Sequence, residues 1–496
     1  MTISIPPEVA VAAVDEGTLL KTMRWYDGFV MALSNPGFII ASLGYTTGQI
    51  GALGALLVWL GSMVIAVLQN KIYTEPATMF PNHSGGISMY AFEGWRSRFS
   101  LAGPMSAIGY WAGWSSVLAI FGLTTGSLIQ SQWFPSATWS VSVGIHLDLP
   151  RVIAVALILA IWVINAFGVT PVKIMGYLTG GLLFIPLILF MIVPFFLADF
   201  HWSNLTWGLS GAGGSTWGII QLTLVWLYLN AWSAYGIEVC ATFAPEYHDT
   251  EKDTNKALMR AAMFCLAVYA VLPIATGGAV TQKAIAAAPL GFYATLLQHE
   301  VGAFSNVVIV FMIGSFLLGM NAASADGARA LYGMARTGMT IKWFDHLNKH
   351  NVPNRGMYVD VVVNCLAVLF LPSTVAILAA SNLGYVLCHV FALSAVVLLR
   401  RDRPTAPRPL RLATPWLWLA AFLSLFNLLI TAIGATSFQL TGYGGVPELL
   451  VGLALLAVGC LLYIYRRVVQ DKQPFRLRDR TGAELVRPVV LDLAEG

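Results

Sequence analysis

Glu238 is the residue best placed to do chemistry in this chain. It sits in the stretch 226–245, W-L-Y-L-N-A-W-S-A-Y-G-I-E-V-C-A-T-F-A-P, inside an apolar segment long enough to cross a bilayer. A carboxylate at bilayer depth costs a few kcal/mol, so such a residue marks a functional interior rather than a lipid face. Gly236 beside it lets the backbone leave the helix, which is tolerable only where the freed amides and carbonyls line a cavity. Ser233, Ala234 and Tyr235 complete the interruption. About two hundred residues earlier, Ser34-Asn35-Pro36-Gly37-Phe38 interrupts the first apolar segment in the same way. Unwinding there would point the amino end of a half-helix into the protein, where its N–H groups and positive dipole suit a carboxylate. A plain proline kink packed against neighbours is the competing reading. Two interrupted spans in corresponding halves of a chain mark a carrier's binding site.

The rest of the chain must position those residues in a membrane. Of 496 residues, 57% are hydrophobic and 10% charged, with a mean hydropathy of +0.72. Soluble domains carry about 25% charged residues. The five cysteines (240, 265, 365, 388, 460) are odd in number, lack C-x-x-C spacing and fall in apolar segments, so they read as packed side chains. No metal site or cofactor is indicated. The first twenty residues carry Glu8, Asp15 and Glu16 and lack a basic start followed by a short apolar core, so no cleavable signal is expected.

Twelve spans of roughly twenty residues can be laid down, near 28–46, 49–70, 101–131, 152–168, 174–198, 217–244, 258–280, 303–331, 357–371, 374–399, 415–436 and 446–465. Pro372 marks a tight turn between the ninth and tenth. With the amino terminus inside, nearly every lysine and arginine falls on the cytoplasmic side, and only Arg151 and Lys283 fall outside. Both termini are therefore expected in the cytoplasm, in the plasma membrane. These charges are topology signals, and the net charge of +4 gives nucleic-acid binding no support. The segment 281–302 is expected to hold short helices on the outer surface.

Two further stretches carry a pattern. One is Tyr73-Thr74-Glu75-Pro76 through Pro81, Gly85, Gly86 and Tyr90, with Glu75 either capping a turn or serving transport. His83 reads as an exposed loop residue. The other is Asn321-Ala322 through Ala328-Arg329-Ala330-Leu331-Tyr332-Gly333-Met334-Ala335-Arg336-Thr337-Gly338. Together with Ala234-Tyr235-Gly236-Ile237-Glu238 and Ala244-Pro245-Glu246, these resemble the amino acid–polyamine–organocation superfamily of permeases. Departures from the family pattern are Pro76 for leucine, Ser88 for tyrosine, Ile237 for an aromatic, Ala328 for serine and Thr337 for aspartate.

The resemblance implies an all-α integral membrane protein of twelve transmembrane helices, built as a five-plus-five inverted repeat with helices 1 and 6 broken. It would divide into a cytoplasmic segment 1–24, a first repeat 25–200, a second repeat 214–400, peripheral helices 411–466 and a tail 467–496. It further implies a substrate whose α-carboxylate meets amides near Asn35 to Phe38 and whose amine meets carbonyls around Trp232 to Tyr235. Trp232 and Tyr235 would cover the site. The function implied is secondary active transport of an amino acid, by symport or exchange, with a polyamine or organic amine as the alternative substrate and H+ or Na+ as a coupling ion. A receptor built on a carrier fold would bind without moving its ligand. A channel filter, an enzyme motif and clustered intramembrane histidines are all lacking; of eight histidines only His389 lies clearly within a span. Some proton-coupled relatives carry a lysine in the middle of the fifth span, but residues 178–189 hold no basic residue. Lys173, at that span's start, is not expected to carry the proton.

Overall fold

The protein is described by a computed structural model over residues 21–80, 86–142, 144–209, 215–289, 292–293, 296–297, 302–371 and 374–479. Pro81 to Gly85 of the Tyr73–Tyr90 stretch, His83 included, and Pro372 fall outside the described residues. Among the described residues nine helices are long and apolar enough to cross a membrane, so the molecule is an all-α, multi-pass membrane protein. Helices also cover the shorter predicted spans. A hairpin of β1 (Ser140–Ser142) and β2 (His146–Asp148) is a small addition to the all-α plan, formed in the exposed loop after the third predicted span.

The first half begins with α1 (Trp25–Ala32) and α2 (Ser34–Met79), which holds the first two predicted spans in one run. The corner between them is Gly51, at φ 73° and ψ 167°, a conformation open to glycine and strained for side chains. The backbone groups freed at the corner are taken up by residues 206–208. Leu53 N–H donates to Thr206 at 3.0 Å, and Gly208 N–H donates to Ile50 at 2.8 Å. Then follow α3 (Gly86–Trp95), α4 (Ala102–Ser115), α5 (Val117–Trp133), α6 (Leu149–Ala166) and α7 (Val169–Ile192). The second half holds α8 (Thr216–Ala234), α9 (Val239–Thr242), α10 (Thr250–Ala279) and α11 (Gln282–Ala287), a short helix where one was expected. It continues with α12 (Ser305–Arg336), α13 (Asn354–Phe370) and α14 (Thr374–Asp402); α15 (Thr414–Thr436) and α16 (Val446–Tyr465) close the chain. In the core α2 packs along α10 and α8, and α4 packs along α14.

The first break is narrower than the sequence suggests. The expected unwinding over Ser34 to Phe38 is confined to Leu33, and even this residue keeps helical torsions of −63° and −8°. The reason lies in where the proline falls. Pro36 stands in the first turn of α2, where its missing N–H would have had no intrahelical partner, so the helix can restart at Ser34. The second break is as wide as expected: α8 stops at Ala234, and a 3-10 turn covers Gly236–Glu238 before α9 begins.

Charges gather at one end of the bundle. Glu75, the last acidic residue of α2, pairs with Arg400, lies 3.3 Å from Arg408 and accepts the Leu412 N–H at 3.0 Å. It is thus tied to the segment that follows α14. At the same end, Glu246 and Arg329 form a fully buried pair, with Arg329 also stacked 5.1 Å from the Phe243 ring.

Candidate functional site

The two breaks meet at the centre of the bundle. Asn35 Nδ2 donates to the carbonyl of Ala234 at 3.4 Å, and the Ser42 and Ser233 hydroxyls lie 3.2 Å apart. Gly236 faces Asn35 so closely that an added Cβ would stand 2.6 Å from Asn35 Oδ1 and 3.2 Å from the Phe38 ring. Only glycine fits there, because the first helix passes directly across the second break. Gly37 is less confined: a Cβ would lie 3.5 Å from the Ser315 carbonyl, ordinary contact. Ser34, Asn35, Pro36, Gly37 and Phe38 are all buried.

Tyr269 of α10 joins the breaks from behind. Its hydroxyl lies 3.0 Å from the Asn35 carbonyl and 2.9 Å from the Ser233 carbonyl, one in each half of the chain. The family resemblance places the substrate's amine at carbonyls around Trp232 to Tyr235 and its carboxylate at amides near Asn35 to Phe38. The carbonyls of Asn35, Ser233 and Ala234 have protein partners in this conformation. Tyr269 escaped sequence reading because it stands mid-helix, with no breaker beside it.

Aromatic rings line the space next to the breaks. Phe38 stacks on Trp232 with centroids 5.1 Å apart, and Phe121 meets Phe38 edge-on at 5.0 Å. Trp232 donates its Nε1–H to Gly113 at 3.1 Å. It lies over the first break as a cover would. Tyr235 does not. Its hydroxyl donates to Asn427 of α15 at 2.9 Å and its ring packs edge-on against His389, so it faces away from Phe38. Both of those partners stand on other helices, Asn427 on α15 and His389 on α14.

Glu238 is wholly buried on the 3-10 turn. Oε1 accepts from Trp114 Nε1 at 3.1 Å and from the Tyr385 hydroxyl; Oε2 has no partner among the described residues. Tyr385 packs in turn against His389, whose Nδ1 is 2.8 Å from the Tyr73 hydroxyl. The Tyr385 and His389 pair, four residues apart on one face of α14, was the available sequence signal for this second layer. Two more buried carboxylates lie nearby. Asp326 on α12 stands beside the hydroxyls of Tyr110 and Thr242, which also lie 2.9 Å from each other. Asp360 on α13 accepts from Trp111 and Ser115, each at 2.7 Å. No described group of three or more His, Cys, Asp or Glu side chains could hold a metal ion.

The site is shut at the charged end of the bundle. The Glu246 carbonyl accepts from Met23 at 2.9 Å and Met23 accepts from His248 at 2.8 Å, a short parallel bridge joining the chain before α1 to the chain after α9. Asp27, at the start of α1, accepts from Arg24 N–H at 2.7 Å and from Tyr177 at 2.8 Å, and pairs with Lys173 at 3.1 Å. At the other end a cleft lined by Tyr45, Thr46, Trp226, Asn230 and Tyr443 reaches down to Ser42.

This geometry, two interrupted helices crossing at a buried polar centre among apolar spans, is that of a membrane carrier. Residues 25–472 match the family described as amino acid permease, and the chain belongs to that family, within the amino acid–polyamine–organocation superfamily. Curated relatives agree. The chain is 25% identical over 366 residues to the amino-acid permease RocE of Bacillus subtilis, covering 72% of this chain and 74% of that one. It is 26% identical over 455 residues to the polyamine transporter PUT1 of rice, covering 86% and 76%. It is 24% identical over 396 residues to the glutamate/serine transporter AimA of Bacillus subtilis, covering 74% and 69%.

Proposed function

We propose that this permease moves an amino acid across the plasma membrane by alternating access, as a symporter or exchanger, with both termini in the cytoplasm. The observation that carries the reading is the contact between the breaks: Asn35 against Ala234 and Gly236, with Tyr269 bonded to both halves. A centre built from two helix ends can open when either end swings, and it offers backbone groups to both ends of a zwitterion. The conformation is closed at the cytoplasmic end by the buried Glu246–Arg329 pair, while the Tyr45–Tyr443 cleft leads from the outside toward Ser42. Substrate entry parts the two breaks, so that Tyr269 keeps one of the Asn35 and Ser233 carbonyls and releases the other.

A basic amino acid or a polyamine is the second reading, favoured by the carboxylates. Glu238 Oε2 is buried with no partner among the described residues, and the arginine closest along the chain to the nearby Asp326, Arg329, is engaged by Glu246. A buried anion without a partner is costly, and a substrate ammonium removes that cost. Relatives named as a polyamine transporter and an L-lysine transport protein are in keeping with this choice.

The test is uptake and counterflow in vesicles reconstituted with the purified protein. Radiolabelled lysine, ornithine, putrescine, serine and glutamate are offered singly. Saturable uptake with exchange of preloaded substrate is the expected outcome. Binding with neither uptake nor exchange would mean a receptor on a carrier fold. Transport confined to serine or glutamate would remove the cationic reading.

A further inference from the structure

At the charged end of the bundle, apart from the transport centre, a cleft of about 680 Å³ opens between three parts of the chain. One wall is the turn after α3, with Arg96 and Arg98. The second is the end of α14, with Arg401 and Arg403. The third is the segment beyond α16, which brings in Arg478. That segment is strapped across the end of the bundle. Ser100 N–H donates to Leu477 at 2.8 Å, its hydroxyl donates to Arg476 at 2.8 Å, and Asp479 N–H donates to Arg96 at 2.8 Å. The five arginines were read from the sequence as topology signals alone. The fold brings them around one opening.

Three carboxylates share the cleft, and each is already engaged. Glu93 takes Arg403 at 2.7 Å and Arg96 at 3.3 Å. Asp402 takes Arg98 and, at 3.2 Å, Arg401. Asp479 is met at 2.9 Å by Arg467, which is not part of the cleft lining. Five guanidiniums therefore face three anions, one of them neutralised by Arg467. Two donors are left over. Arg403 Nη1 is buried with no acceptor among the described residues, and Arg478 is exposed with no ion pair among them. A buried N–H without an acceptor is an uncommon cost in native proteins and points to a missing partner.

We infer that this cleft binds a phosphate-bearing anion, held by Arg403 Nη1, Arg401 and Arg478. Guanidinium forks match phosphate oxygens two at a time, and planar, clustered arginines are the usual solution where phosphate must be held firmly. The site lies where α14 leaves its apolar span, with Leu399 as its one apolar wall. That is the depth of a lipid headgroup, and basic clusters next to membrane spans attract anionic lipid. A free phosphate compound offers the same oxygens. Either ligand would staple the strap carrying Arg478 to the end of α14.

The experiment uses the full-length protein in neutral detergent. Phosphatidylglycerol is titrated in and its retention is read by native mass spectrometry, with phosphatidylcholine as the control lipid and inorganic pyrophosphate as a soluble competitor. Arg401 and Arg478 are exposed and outside the transport centre, so Arg401→Gln/Arg478→Gln should fold normally. With each basic residue near a membrane surface worth about 1 kcal/mol, the double variant should bind phosphatidylglycerol about thirtyfold more weakly. Retention of phosphatidylglycerol over phosphatidylcholine that is lost in the variant supports a lipid site. Pyrophosphate binding lost in the variant, without lipid selectivity, supports the same site with a soluble ligand. Equal retention of the two lipids with no pyrophosphate binding, or an unchanged affinity in the variant, overturns the proposal.

Discussion

Glu238 and Gly236 make separable demands on the site. Glu238 has one oxygen held by Trp114 and Tyr385 and the other without a partner among the described residues, so its side chain is anchored and still has bonding capacity. Glu238→Gln keeps the shape and lets the amide serve Trp114 and Tyr385 through its oxygen. A functional carboxylate predicts a folded variant, judged by an unchanged melting temperature, with uptake reduced at least about tenfold and a changed pH profile. That factor corresponds to about 1.4 kcal/mol, the low end for a hydrogen bond to a charged group. Wild-type rate and pH dependence would remove Glu238 from both the binding and proton-carrying roles. Gly236→Ala places a methyl 2.6 Å from Asn35 Oδ1 and should lower substrate affinity sharply. Gly37→Ala has ordinary contacts and should be tolerated, whereas Gly37→Leu drives its branch toward the Ser315 carbonyl and should abolish binding. Unchanged affinity in Gly37→Leu would take Gly37 out of the site.

At the scale of elements, the closing of one end rests on a few polar links between helices. Arg329 of α12 holds Glu246, just past α9, and both side chains are at most 2% exposed. Removing one partner of a buried pair leaves the other charge uncompensated and costs about 3–5 kcal/mol. Arg329→Met should therefore lower stability by that amount, read from chemical denaturation. Any folded fraction should label more readily at a cysteine introduced at Ala244, beside the pair. Loss of stability well under about 1 kcal/mol would show that the pair is not buried in the functional ensemble. These same elements show what sequence can reveal. The interruption at Gly236 was legible because glycine and a carboxylate stand together in an apolar run. The extent of the break at Pro36 was not, since its effect depends on whether the proline falls in a helix's first turn or its interior. The role of Glu75 was open between a turn cap and transport until the fold placed Arg400, more than three hundred residues away, against it. Trp114, Tyr269 and Tyr385 have no local signature, and only packing brings them to the centre.

On the scale of the whole molecule, the proposed coupling to an ion turns on which charges the bundle keeps inside. Lys173 lies at the start of α7 and spends its ammonium on Asp27 at 3.1 Å and the Thr22 carbonyl at 3.1 Å. It fastens α7 to the entrance of α1. Lys173→Met should weaken closure at that end and leave the ion dependence of transport as it was, measured as uptake under imposed proton and sodium gradients. Loss of proton dependence with exchange intact would make this lysine the carrier after all. At Tyr269, meanwhile, the two breaks share a single hydrogen atom. Tyr269 has one O–H to offer and two carbonyls within reach, Asn35 at 3.0 Å and Ser233 at 2.9 Å. When the helices part, it can follow only one of them. The carbonyl left behind stiffens, and its amide stretch moves to higher frequency. Isotope-edited infrared spectra, with carbon-13 placed at Asn35 in one sample and at Ser233 in another, would therefore register which half lets go first as substrate enters.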